Sequence, residues 1–65
     1  MADAIGAAAG KVWQYLDQNG AATATQISRG IKENTAVTNQ AIGWLAREHK
    51  LSMDRAKRTV KYSLR

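Results

Sequence analysis

Near residue 50 the apolar residues of this 65-residue chain change their spacing, and that change limits the fold more than any other feature. Before it, apolar side chains recur at the three- and four-residue steps of a helix. After it they alternate with polar ones, the period of a strand with one face covered. The chain must therefore combine a few short helices with one small sheet. A domain of this length buries only about 60% of the surface its unfolded form exposes. It has no cysteine for a disulfide or a thiolate zinc site, and His49 is its one imidazole. Self-association is the remaining way to gain core.

Helix one carries Ile5, Ala9, Val12, Trp13 and Leu16 on one face, with both tryptophans of the chain, Trp13 and Trp44, expected in the core. Asp3 is placed to cap its start, and Asn19–Gly20 to end it. Gly6 and Gly10 each cost about 1 kcal/mol relative to Ala, which a closely approaching helix would explain. Helix two opens on "TATQ", where Thr23 and Gln26 have capping-box spacing, and presents Ala24, Ile27 and Ile31 over about two turns, with Gly30 as a flaw. Asn34 caps a third helix running from about Thr35 to Glu48. At 100° per residue, Val37, Ala41, Trp44, Leu45 and Glu48 share one side. Thr35, Asn39, Ile42, Gly43 and Ala46 share the other, so this helix has apolar residues on both sides. Helices two and three together read as a helix-turn-helix.

The last segment reads as an antiparallel hairpin. Leu51 and Met53 pack down with Val60, Tyr62 and Leu64, while Thr59, Lys61 and Ser63 face out, and "DRAKR" forms a charged tip. Three helices and a two-stranded wing make a mainly α winged helix-turn-helix, a single domain over residues 1–65.

Two stretches narrow this further. "AGKVWQYLDQNG" in helix one and "AIGWLAREHKL" at the end of helix three resemble the signature stretches of a small prokaryotic winged helix-turn-helix family of unknown function. Gly43-Trp44-Leu45-Ala46-Arg47-Glu48, followed by Lys50 and an aliphatic residue, is the most specific part. The resemblance spans nearly the whole chain and implies a self-associating winged helix, without implying a ligand. The wing here is longer and more basic than the family pattern leads one to expect.

The net charge of +5 is all in the last third. Through Ala46, three basic and three acidic residues cancel. From Arg47 onward, Arg47, Lys50, Arg55, Lys57, Arg58, Lys61 and Arg65 oppose only Glu48 and Asp54. Such asymmetry suits a polyanion partner. Arg55, Lys57, Arg58 and Lys61 form the expected phosphate-contacting tip, with about four contacts and a salt slope near −3.6 per wing. At the reading helix, Thr35, Thr38 and Asn39 are the candidates for base edges, with Gln40 nearer the side. An arginine for guanine is missing there until Arg47.

Ile42, Gly43 and Ala46, with Asn39 and Trp44 beside them, are the expected contact with a second copy. Small residues let two helix backbones approach, and Ile42 supplies something to bury. Catalysis has no constellation to work with: Asp17, Glu33 and Asp54 are scattered, His49 sits at a helix end, and a glycine-rich phosphate loop is absent. No metal, cofactor or small-molecule site is expected. "MADAIGAAAG" lacks the positive start of a signal peptide, and no run of about 18 apolar residues could span a membrane, so a cytoplasmic protein is expected. The sequence thus leads to a homodimeric module contacting double-stranded DNA through its wing with weak sequence preference. The alternative is an interaction module whose third helix serves dimerisation alone.

Overall fold

The computed structural model describes the backbone of residues 4–65 and the side chains of residues 6–65. The expected cap Asp3 and the side chain of Ile5 lie outside these. Helix α1 runs Ala4–Asn19, strand β1 Ala22–Thr23, helix α2 Ala24–Ile31, helix α3 Thr35–Arg47, and strands β2 Leu51–Ala56 and β3 Thr59–Leu64.

Each helix ends where local chemistry dictates. Gly20 closes α1 at φ 81°, its N–H donating to the Leu16 carbonyl at 2.9 Å. Thr23 and Gln26 form the capping box: the Thr23 hydroxyl accepts from the Gln26 N–H at 3.2 Å, and the Gln26 amide oxygen from the Thr23 N–H at 3.0 Å. Asn34 Oδ1 accepts from the Val37 N–H at 2.8 Å and caps α3. At the other ends, α2 and α3 both close in Schellman geometry. Glu33 N–H reaches the Ser28 carbonyl, and Lys50 N–H reaches that of Leu45. The left-handed position of that motif, usually glycine, holds Lys32 and His49, each at φ 59°.

Ala22 and Thr23 supply a third strand that the alternation rule had no means of finding, since two residues carry no period. Ala22 pairs with Tyr62 and Thr23 with Lys61, giving an antiparallel sheet in the order β1-β3-β2. Thr23 thus both ends β1 and caps α2, tying the base of the wing to the helix-turn-helix. The wing is more regular than expected. Asp54, Arg55 and Ala56 belong to β2, and only Lys57 and Arg58 bridge the paired Ala56 and Thr59.

The core is made of Ala8, Ala9, Val12 and Leu16 from α1, Ala22, Ile27 from α2, Ala41, Ile42 and Leu45 from α3, and Leu51. Four of these are alanines, so the helices pack closely and leave no room for an indole. That is why Trp13 and Trp44, expected inside, stand 41% and 50% exposed. The buried arc of α3 also turns out to be Thr38, Ala41, Ile42 and Leu45. Thr38 is fully buried because its hydroxyl donates back to the Asn34 carbonyl at 2.9 Å, which removes the cost of hiding it. Gly30 is no flaw: a Cβ there would lie 2.6 Å from Cδ1 of the Tyr15 ring, so only glycine lets Tyr15 lie across α2.

Candidate nucleic-acid interface

Rotating the buried arc of α3 to Thr38, Ala41, Ile42 and Leu45 fixes what the helix shows to solvent. Its exposed arc holds Thr35, Ala36, Asn39, Gln40, Gly43, Ala46 and Arg47, with Trp44 at the far edge. Asn39 and Gln40 put two amide groups in mid-helix, and Arg47 adds a cation one turn beyond Gly43.

Of the residues expected at base edges, Thr35 and Asn39 stand on this arc and Thr38 does not. Of those expected to meet a second copy, Asn39, Gly43 and Ala46 are exposed together. Ile42 is not with them: at 5% exposure it belongs to the chain's own core. Trp44 lies about 140° around the helix from Asn39, so it belongs to another surface. The buried side of α3 is covered by this chain's own elements, α1 above all, with α2 and the sheet beside it.

That covering is incomplete. Asn39, Ile42, Gly43 and Ala46 form one wall of a groove of about 340 Å³, and Leu51, Ser52, Met53 and Tyr62 form the other. A Cβ at Gly43 would meet nothing within 4 Å, and Met53 is 55% exposed. The groove was missed in the sequence, although a signal for it exists. Met53 is the second alternating residue of the wing, cross-strand partner of Tyr62, and lies beyond the reach of the small core.

The wing cations do not form one cluster. In an antiparallel pair, directly opposite residues share a face. Arg55 is opposite Val60, on the same face as Met53 and Tyr62, which looks toward α3. Lys61 is opposite Asp54 on the outer face, where a carboxylate offsets it. Lys57 and Arg58 occupy the turn, with Lys57 at φ 53°. The register therefore puts Arg55 on the face that looks toward α3, Lys57 and Arg58 at the tip, and Lys61 on the opposite face. Elsewhere the described residues hold one ion pair, Lys11 to Glu33 at 3.2 Å, joining α1 to the turn before α3.

A helix-turn-helix whose third helix is open to solvent and flanked by a hairpin defines a winged helix-turn-helix protein. Known proteins agree. Residues 1–64 match the family described as winged helix-turn-helix domain (DUF2582), and the chain belongs to that family. A Bacteroides thetaiotaomicron protein solved by solution NMR is 31% identical, with a TM-score of 0.89 over 95% of this chain and 76% of its own. The Zalpha domain of Carassius auratus PKZ, solved in complex with Z-DNA, is 24% identical with a TM-score of 0.83, over 95% and 98% of the two chains. Lactococcus lactis ZitR, solved as a cysteine-to-serine mutant in complex with DNA, is 21% identical with a TM-score of 0.80, over 89% of this chain and 41% of its own. These last two show a shared fold. Among curated proteins none matches the chain. No helix among the described residues is long and apolar enough to cross a membrane.

Proposed function

We propose that this protein is a cytoplasmic, non-enzymatic module that binds double-stranded DNA with weak sequence preference. One observation carries the reading. The arc of α3 that its own chain leaves open bears Thr35, Asn39, Gln40 and Arg47, and the wing carries Arg55 on the face that looks toward α3, with Lys57 and Arg58 at its tip. An amide side chain can bond adenine in bidentate fashion, and threonine can touch a thymine methyl. Only Arg47, in the last turn, offers the commonest guanine contact, so base readout is sparse and phosphate contacts supply most of the affinity. Two proteins of the same fold were solved in complex with DNA, the Zalpha domain with Z-DNA and ZitR with DNA, which supports a DNA-binding reading. The module acts as a homodimer in this proposal, and the place of the second copy is argued below.

A second reading rests on the apolar groove between Gly43 and Met53. A duplex would leave this groove empty, whereas a protein segment would fill it, making α3 an interaction surface. An amide-resolved NMR titration with a mixed-sequence duplex at low salt separates the two. Shifts at Thr35, Asn39, Gln40 and Gly43, together with 55–58, are expected for DNA binding. Shifts confined to 55–58 would reduce the reading to backbone contact alone. A spectrum unmoved by excess duplex would leave the interaction module.

A further inference from the structure

We propose that a second copy of this chain docks in the groove between α1 and α3 that Trp13 and Trp44 flank. The groove holds about 400 Å³ and has Gly6 and Gly10 on its α1 side and Lys50 at the end of α3. This deepens the dimeric part of the reading above and moves it to a different surface.

The tryptophans carry the argument. The two indoles, 41% and 50% exposed on one groove, give water roughly 200 Å² of apolar surface, and aromatic area of this kind is what interface cores are enriched in. In a two-fold pair the four indoles would supply roughly 400 Å², a quarter to a third of a standard interface, and α1 would supply much of the remainder.

Charge decides the occupant. On the helical wheel, Gly6, Gly10, Trp13 and Asp17 form one stripe of α1, and Glu48, the residue that ends α3, follows Trp44 by one turn. With Lys50 in the groove, this side carries both signs nearly in balance. A nucleic acid has no reason to prefer it over the wing. A second copy carries its +5 excess in the last third and is repelled by the wing, whereas here its Lys50 meets Asp17 or Glu48 of the first. The glycines fit the same occupant. A Cβ at Gly6 or Gly10 would meet nothing within 4 Å in its own chain, so neither is needed by the monomer's packing. A second α1 crossing there is the use left for a bare backbone. Because Trp44 and Asn39 lie on well-separated sides of α3, a dimer formed this way leaves both reading surfaces free.

Sedimentation equilibrium of the wild type over micromolar to submillimolar concentrations, alongside Trp44→Glu, Trp44→Phe, Gly10→Leu and Ala46→Glu, tests this. The wild type should dimerise, with Trp44→Phe close to it. Trp44→Glu should raise the dissociation constant at least about thirtyfold, the size expected of a central aromatic anchor. Gly10→Leu should raise the Tm of the dilute monomer while weakening association, and only an interface moves those two in opposite directions. Ala46→Glu, on the reading side, should leave the dimer intact. A wild type that stays monomeric throughout overturns the proposal. So does a Trp44→Glu protein that associates undiminished, or a dimer lost with Ala46→Glu alone. Adding duplex to Trp44→Glu separates the two proposals, since a monomer that still shifts at Asn39 leaves DNA binding standing.

Discussion

Two helix ends place charged or polar side chains where the backbone wants glycine. Lys32 and His49 both adopt the left-handed conformation, which costs a residue with a Cβ roughly 1–2 kcal/mol. Both accept it because the Schellman bonds that follow satisfy carbonyls that would otherwise have no partner. Among the described residues the exposed imidazole of His49 has no hydrogen-bond partner that its removal would forfeit. His49→Gly should therefore stabilise the protein, by about 1 kcal/mol after allowing for the greater freedom of glycine in the unfolded chain. Urea denaturation checks it through the midpoint. An unchanged or lower midpoint would mean that the strain is absorbed elsewhere. None of this is visible in the sequence. "REHKL" announces a helix ending in basic residues, but only the backbone shows which of them turns left.

At the scale of the element, α3 is where polarity misleads. Its existence, its cap and its bounds to within a residue were legible from Asn34 and from the apolar spacing. Its rotation was not. Sorting residues by hydrophobicity draws Val37 and Trp44 inward and pushes Thr38 out. The fold does the reverse with Thr38 and Trp44, because a threonine can bond its own helix and an indole cannot fit between alanine-lined helices. The misplacement of Ile42 follows from the same error, and it changes what a substitution means. Read as an interface residue, Ile42→Asp would simply separate two copies. Buried at 5% between α3 and the sheet, the same change puts a carboxylate in the core. It should cost about 3 kcal/mol or more and leave little folded protein. Circular dichroism against temperature distinguishes the cases, since a folded, cooperative Ile42→Asp monomer would return Ile42 to the interface. The candidate site was half legible for the same reason. Asn39, Gly43, Ala46 and the basic wing could be named from spacing alone. The groove they share with Met53 and Tyr62 depends on register across the hairpin, which the last third of the chain does not spell out.

For the whole molecule, the question is how the excess charge is spent. All of it lies after Ala46, and the hairpin divides it: Arg55, Lys57 and Arg58 on the α3 side or at the tip, Lys61 opposite Asp54 on the other face. The sequence-based slope near −3.6 counted four phosphate contacts per wing. Removing Lys61 leaves about three, and so a slope of log K against log salt of about −2.7 per wing. Arg47, at the end of the reading helix, can add about one more. The same geometry ranks the substitutions. Arg58→Ala should flatten the slope by about 0.9 and weaken every duplex alike, because a phosphate contact carries no sequence information. Lys61→Ala should flatten it far less, although the two changes remove the same formal charge. Fluorescence anisotropy of one duplex over a salt series, run on the wild type and both variants, reads all three slopes. Equal losses for Arg58 and Lys61 would mean that the duplex responds only to net charge, with no docked orientation. A larger loss for Lys61 would place the duplex on the outer face of the wing, away from α3. Unequal losses in the expected order exclude the outer face of the wing and put the duplex at its tip, on the side from which Asn39 and Gln40 of the third helix remain open to it.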